Sequence, residues 1–358
     1  MLETIRILIT GTGAPGLPSI LSCLRNNGER ELYIVGVDMN PAPPFRKKVD
    51  RFYQVPSASD PEVIHAVLQI CQKEKIRVLI SIVTRELELF AAAKEQFAAV
   101  GTTIATMDSG PLHIANNKGL LLTAMKEAGL QTPAFRIVYT PDELKEAVLA
   151  LGYPEKRVVI KPTFGNGSRG TRILDEKESR YDRFFTQKPG SQVMRLEEVL
   201  AIVQEKGVIP EMMVMEYLPG EEICVDVLAD HGKVLYLSCR CGRVVSSIMV
   251  SSVVRNNPYA AELAENVVKL LSLDGNIDFD MKTDENGRPQ IMEINPRLPA
   301  GVAVQTMAGI NFPYLRIKQL LGEQLPDCKA VEGYEMQFCN REIIFAPDGA
   351  EAEWSVKI

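Results

Sequence analysis

Glu293 and Asn295 alternate with apolar Met292 and Ile294 in the segment Gln290-Ile-Met-Glu-Ile-Asn-Pro-Arg-Leu-Pro-Ala-Gly301. Alternation with period two puts both oxygen-bearing side chains on one face of a strand, and Arg297 follows just past its end. Two hard oxygen ligands suit Mg2+, and an adjacent guanidinium suits a phosphoryl group. Upstream, Gly275-Asn-Ile-Asp-Phe-Asp-Met281 offers Asp278 and Asp280, also two apart. The turn Asp284-Glu-Asn-Gly287 joins the two runs into a hairpin, so three or four oxygen ligands face one spot. The plain structural alternative is a hairpin with a polar outer face.

Lys161-Pro-Thr-Phe-Gly165-Asn-Gly167-Ser168-Arg169-Gly170 is the second chemical signal. A lysine ends an apolar strand, and a loop with three glycines and a serine follows. Glycines let backbone N–H groups approach phosphate oxygens, and the lysine adds a point charge. The lysine precedes the glycines and a strand follows them, unlike the P-loop order. The pattern predicts a hairpin flap over a nucleotide, with an ordinary glycine-rich hairpin as the alternative. Met215-Glu216-Tyr217-Leu218-Pro219-Gly220-Glu221-Glu222 is a strand running into an acidic turn. Its backbone could read an adenine edge and its carboxylates a ribose, though a surface turn would look the same.

Gly11-Thr-Gly13-Ala-Pro-Gly16 with Asp38 approaches a dinucleotide fingerprint, but Pro15 and the shortened spacing depart from Gly-x-Gly-x-x-Gly. Thr84-Arg-Glu-Leu-Glu88 follows a buried strand, which makes Arg85 and Glu86 candidate substrate contacts. A helix N-terminus with favourable acids explains the same residues. Arg240, Arg243 and Arg255 bracket the uncharged segment Val244–Val254 and could clamp a carboxylate or acyl phosphate, or be solvated strand-edge arginines.

The elements that position these residues fall into two patterns. Strand signals at Ile5–Thr10, Leu32–Asp38 and Val78–Val83 alternate with helix signals at Leu17–Arg25, Pro61–Glu74 (capped by Asp60) and Leu87–Val100. Such alternation predicts a parallel, doubly wound sheet ending near residue 115. Beyond it, Gly119–Ala128, Pro141–Leu151 and Ala260–Leu271 read as helices. Val158–Lys161, Thr171–Leu174, Met212–Tyr217, Ile223–Ala229 and Val234–Cys239 read as strands. Residues 178–207 are mostly helical, broken at Lys188-Pro-Gly190, and Val302–Ala308 is an apolar helix. The tail carries one expected strand, Glu335–Ile344.

Bulk properties exclude several classes. Apolar content of 46% and charged content of 24% describe an ordinary globular chain of two or three domains. A net charge of −6 argues against a general nucleic-acid surface. Seven cysteines without zinc-type pairing imply reduced thiols and a cytoplasmic setting. The amino-terminal apolar run is too short for a signal peptide or a membrane span. Three histidines outside any metal or triad motif make histidine-led chemistry improbable.

In order, Lys118, Lys161, the glycine loop, Glu216-Tyr-Leu, Glu222, Asp278/Asp280 and Glu293-Ile-Asn295-Pro-Arg297 resemble the ATP-grasp superfamily. The nearest likeness is to single-module relatives of the carbamoyl phosphate synthase large subunit, including amino-acid ligases of that branch. It spans Ile5 to about Gly322 and implies an α/β fold. A Rossmann-like pre-ATP-grasp domain (1–115) would precede a two-lobed α+β ATP-grasp domain (116–322, lid lobe roughly 130–217) and a tail (323–358). The resemblance implies that Lys118 and Lys161 contact ATP phosphates, and that Gly165, Gly167, Ser168 and Gly170 form the flap. It implies that Glu216, Tyr217 and Leu218 meet adenine with Met292 packed on the base, and that Glu222 holds the ribose. Glu293 and Asn295, with Asp278 or Asp280, would hold Mg2+ (or Mn2+), and Arg297 would steady the transferred phosphoryl group.

The implied reaction activates a small-molecule carboxylate as an acyl phosphate, which an amine then attacks. That transfer needs charge neutralisation and alignment more than acid–base groups, which suits a chain poor in histidine. Competing expectations are a carboxyphosphate- or carbamate-phosphorylating enzyme, a non-catalytic nucleotide-binding protein, and an NAD-dependent oxidoreductase. One module, where the large subunit carries two, counts against complete carbamoyl phosphate synthesis. Leu298-Pro-Ala-Gly301 lacks the second glycine often seen after Asn-Pro-Arg in that branch, so the acyl pocket is expected to differ. A homodimer without nucleic-acid or membrane partners completes the expectation.

Overall fold

A computed structural model describes residues 2–165, 167–187, 190–245 and 248–339. Three sheets organise them. The first is parallel, in the order β3-β2-β1-β4-β5, built from β1 (Ile5–Thr10), β2 (Leu32–Asp38), β3 (Arg51–Gln54), β4 (Val78–Ile80) and β5 (Thr103–Ile104). Helices α1 (Leu17–Arg25), α2 (Val63–Glu74), α3 (Leu87–Ala92) and α4 (Lys94–Ala99) link its strands. β1 is buried at every position but Arg6 because both its faces are covered, by α1 on one side and by Val67, Phe90 and Phe97 on the other.

Several local expectations need correction. The helix expected over Leu87–Val100 is two short helices parted at Ala93. Helix α2 starts at Val63, and Asp60 accepts the Glu62 N–H in the turn before it instead of capping it. The short strand β3 gave no periodic signal: it sits at the sheet edge and is half exposed.

Helices α5 (Ser109–Asn116) and α6 (Lys118–Glu127) lead to the second sheet, of order β6-β10-β7-β8-β9. Its strands are β6 (Phe135–Val138), β7 (Val158–Pro162), β8 (Arg172–Leu174), β9 (Val193–Met194) and β10 (Met212–Glu216). Helices α7 (Pro141–Ala150) and α9 (Leu196–Gln204) cover it, and α8 (Arg180–Phe185) is exposed. Residues 178–207 are thus helix, strand and helix, and the expected break at Lys188-Pro189 lies outside the described residues.

The third sheet runs β15-β14-β11-β12-β13-β16 and is antiparallel throughout. It comprises β11 (Glu222–Asp230), β12 (Lys233–Val245), β13 (Ile248–Val254), β14 (Gly275–Thr283), β15 (Pro289–Asn295) and β16 (Glu335–Gln337). β12 extends well past the expected Cys239, and β16 is shorter than expected, with residues 340–344 outside the described set. Helices α10 (Pro258–Leu270), α11 (Ala303–Met307) and α12 (Phe312–Leu320) complete the unit.

One face of the third sheet is apolar: Val225, Val227, Cys239, Ile277, Phe279, Ile291 and Ile294 pack with α10 and with Leu112, Leu121 and Met125 of α5 and α6. Its other face carries the polar alternation that singled out the hairpin. Helix α12 gave no helical period because it is buried on every side from Phe312 to Lys318.

The first sheet is docked on the third. Buried Arg316 of α12 donates to both oxygens of Asp274, at 3.2 and 2.7 Å, and to the Ala105 carbonyl. Arg30 reaches Tyr314 and Glu323. The turn Gly11–Gly16 lies against the loop after Arg297: a Cβ on Gly16 would stand 2.7 Å from Ala300 Cα. Asp38 accepts the Gly13 N–H at 2.7 Å. Gly16 therefore serves the packing of the turn on the loop after Arg297, and Asp38, the acid of the partial fingerprint, is bonded back to the turn itself.

Candidate active site

Register on the hairpin brings the expected ligands together. Asp278 pairs with Asn295 and Asp280 with Glu293 across β14 and β15. On the next strand Asp226 lies opposite Asp278 and Cys224 opposite Asp280, and Arg240 of β12 faces Cys224. A bulge between Asp280 and Met281 leaves Met292 outside the pairing. Its carbonyl accepts the Lys161 ammonium at 3.1 Å. Lys161 therefore reaches from the second sheet to the hairpin of the third.

Lys118 closes the same gap from α6. Its Nζ lies 2.9 Å from Glu293 and donates to the Gly165 carbonyl at 2.8 Å. Lys118 N–H donates to Thr163 O, and Asn117 bridges to Phe164, which fixes the glycine loop against the start of α6. Asn117 Oδ1 accepts the N–H groups of Gly119 and Leu120 and so caps this helix. Gly165, Gly167 and Gly170 have φ of 140°, 64° and 78°, and Ser168 has φ of 53°, so the loop depends on residues that tolerate left-handed backbone.

Electrostatics separates the two candidate aspartates. Burial raises Asp280 to about 6, reinforced by Glu293 across the ladder; the contacts from Cys224 and Arg240 oppose it only in part. Burial and Asp280 also raise Asp278 well above the usual carboxylate range, although Arg240 donates to it at 3.3 Å. Burial would also raise Glu293, but Lys118 and Lys161 outweigh it and hold the carboxyl below its ordinary value. Burial lowers Lys161 to about 8 against the pull of Glu293. Asp280 Oδ2 accepts the Asn295 amide at 2.8 Å, whereas Asp278 is turned to Arg240.

Three oxygen-bearing side chains, Asp280, Glu293 and Asn295, thus converge on the hairpin face, with burial opposing a second negative charge. A small hard cation fits this donor set and would relieve that opposition. Lys118, Lys161 and the glycine loop beside it form a cradle suited to a polyphosphate.

Arg297 donates to Thr84 Oγ1 at 3.1 Å, to Leu298 O at 3.0 Å and to Asn295 Oδ1 at 3.3 Å. It thereby joins the cation strand to the carboxyl edge of the first sheet. There Ser81 bonds Thr10 and Glu86, and burial raises the Glu86 carboxyl. Arg85 beside it is exposed.

Other expected contacts are placed differently. Glu216 N–H donates to Ala134 O, and its carboxylate accepts Ala134 N–H, so both groups are used inside the second sheet. Leu218 is buried just beyond, and Tyr217 lies near Arg157 and Lys282. Glu222 is 3.4 Å from Lys282. The three arginines share no clamp: Arg240 is buried on Asp226 and Asp278, Arg255 pairs with Glu221 at the surface, and Arg243 is exposed. Sequence reading missed Thr84, Cys224, Asp226 and Gln305, whose amide donates to Asp226 at 2.7 Å. Only cross-strand register and domain docking reveal them.

Comparison with known proteins bears on the family and the fold. Residues 208–341 match the family model described as "ATP-grasp in the biosynthetic pathway with Ter operon", and residues 7–105 match "PylC-like, N-terminal domain". The chain is 24% identical over 339 residues to a formate-dependent phosphoribosylglycinamide formyltransferase of Wolinella succinogenes, covering 90% of this chain and 78% of that one. It is 24% identical over 304 residues to the carbamoyl phosphate synthase large chain of Methanothermobacter thermautotrophicus, covering 81% of this chain but only 27% of that one. An ADP complex of N5-carboxyaminoimidazole ribonucleotide synthetase superposes with a TM-score of 0.68 at 19% identity, covering 93% and 80% of the two chains.

Proposed function

We propose that this chain, a member of the ATP-grasp superfamily, is an ATP- and Mg2+-dependent ligase that joins a small-molecule carboxylate to an amine. The observation that carries this reading is the convergence of Lys118 and Lys161 on the Asp280/Glu293/Asn295 face, with Arg297 between that face and the first sheet. A carboxylate is a poor acyl donor because its leaving group would be oxide. Phosphorylation converts it to an acyl phosphate, from which an amine expels phosphate.

In this reading Lys161 and Lys118 hold the phosphates, and the Gly165–Gly170 loop covers them and excludes water. Leu218 and Met292 border the adenine, with Tyr217 alongside, and Glu222 takes the ribose. Glu293, Asn295 and Asp280 hold Mg2+, which when bound supplies charge neutralisation during phosphoryl transfer. Asp280 is preferred over Asp278 because it lies opposite Glu293 across the ladder and accepts the Asn295 amide. Arg297 steadies the transferred phosphoryl group where the acid arrives. Thr84, Ser81 and Glu86 border the acceptor entry.

A carboxyphosphate version of the same chemistry is the second reading. The similarity in fold to a biotin carboxylase domain solved with MgADP and bicarbonate favours it, because bicarbonate presents the same kind of oxygen nucleophile as a carboxylate. The test is phosphate release from ATP and Mg2+ with a crossed panel of acids, formate and bicarbonate among them, and of amines, amino acids included. Turnover requiring one acid and one amine, with a stoichiometric amide product, is the expected result. Tight Mg-ATP binding without turnover for any pair would instead identify a nucleotide-binding protein.

A further inference from the structure

We infer that this chain has a second cation position beside the proposed Mg2+ set, made by Cys224, Asp278 and Asp280 and selective for a soft divalent ion such as Zn2+ or Cd2+. One ligand atom from each residue lies within 4.8 Å of the other two. Cys224 Sγ stands 3.3 Å from Asp280 Oδ1. A tetrahedral zinc with its usual sulfur and oxygen bond lengths separates those two atoms by about 3.6 Å. The existing contact is thus close to a tetrahedral edge, and the Asp278 oxygen lies no more than 4.8 Å from either atom.

Two further observations favour a cation at this place. Asp226, next to Cys224 on the same strand face, is 2% exposed, and its Oδ1 is buried without a hydrogen-bond partner among the described residues. Arg240 is the only guanidinium bonded to the Asp226/Asp278/Asp280 group among the described residues. Its contact with Asp226 is 2.9 Å, but that with Asp278 is 3.3 Å, longer than a strong charge-assisted bond. Asp278 can therefore turn to an ion while Arg240 keeps Asp226.

A thiolate with two carboxylates selects against Mg2+ and for the softer ion. On binding, the Cys224 S–H bond breaks and its proton leaves to solvent as the sulfur–metal bond forms. Asp280 is common to both cation sets, so the soft ion removes a ligand from the first. Zn2+ is then an inhibitor of Mg-ATP chemistry, a consequence that rests on the proposed function; the binding itself does not.

The test titrates the full chain with Cd2+ without nucleotide and follows thiolate-to-cadmium charge-transfer absorption. One equivalent should produce the band, Cys224→Ser should abolish it and weaken Zn2+ binding at least tenfold, and Cys339→Ser, at an exposed thiol, should keep both. Cadmium NMR of the unsubstituted chain settles the ligand set even if Cys224→Ser does not fold. A shift reporting one sulfur is expected. An all-oxygen shift, or a band retained in folded Cys224→Ser, overturns the site. Failure of the acid–amine panel would leave these readouts untouched.

Discussion

Gly16→Ala separates the geometry of the domain junction from the binding of nucleotide. Gly16 has φ −78° and ψ −12°, which alanine adopts freely, so backbone strain is not at issue. The new Cβ would stand 2.7 Å from Ala300 Cα and 2.8 Å from Ala300 Cβ. Carbon atoms rest at roughly 3.5–4.0 Å, so the turn and the loop must part by about 1 Å. Arg297 lies three residues before Ala300, and its 3.1 Å bond to Thr84 would then exceed hydrogen-bonding distance. Misplacement by about 1 Å costs a catalytic constellation on the order of 100-fold in rate, and overpacking costs about 1–3 kcal/mol of stability.

The expected outcome is phosphate release from the best acid–amine pair slowed about 100-fold, with Mg-ATP affinity by calorimetry unchanged. The cradle residues lie on other elements, and so remain in place. Gly110→Ala, where a Cβ meets nothing within 4 Å, is the matched control and should be silent. Full activity and unchanged denaturation of Gly16→Ala would refute the idea that this contact sets Arg297.

Lys161→Ala and Glu293→Ala should each abolish phosphate release while circular dichroism shows an intact fold; normal turnover by either sinks the site assignment. Burial lowers Lys161 to about 8, so above that pH it would be largely neutral unless bound phosphates restored its charge. Nucleotide binding should then take up a proton and weaken as pH rises; calorimetry in buffers of different ionisation enthalpy would count against this if it found no uptake. Arg316→Ala leaves buried Asp274 without its partner and should cost about 3–5 kcal/mol in urea denaturation, the range for breaking a buried pair. A loss below about 1 kcal/mol, the value of an exposed pair, would show that this contact does not hold the first sheet on the third.

The elements that sequence reading recovered are those whose burial is one-sided or complete. β1, β2 and β7 are apolar runs, and β14–β15 alternate because one face is core and the other is the site. β13 escaped because its mixed serine and valine content shows no one-sided alternation, and α12 because surrounding core erases its polar face. The lysines, the glycine loop and the oxygen ligands were legible from type and order along the chain. Cys224, Asp226 and Thr84 were not, since their chemistry depends on register and docking between segments far apart in sequence. The glycine turn resembled a dinucleotide fingerprint only in part, and its Gly16 shows why such likeness arises: a close approach to Ala300 and one to a pyrophosphate demand the same small residue.

The partners of the three site cations have a consequence for anion selectivity. Lys118 rests on Glu293 and the Gly165 carbonyl, Lys161 on the Met292 carbonyl, and Arg297 on Thr84, Leu298 and Asn295. A bare phosphate arriving here must break such contacts and leaves Glu293 with no replacement for its lysine. Under the proposed function, Glu293 would hold the counter-ion of a metal-complexed triphosphate, and Lys118 would then be free for the phosphates. Discrimination for the complexed nucleotide over free phosphate would then follow from exchange of partners, not from the shape of the cradle.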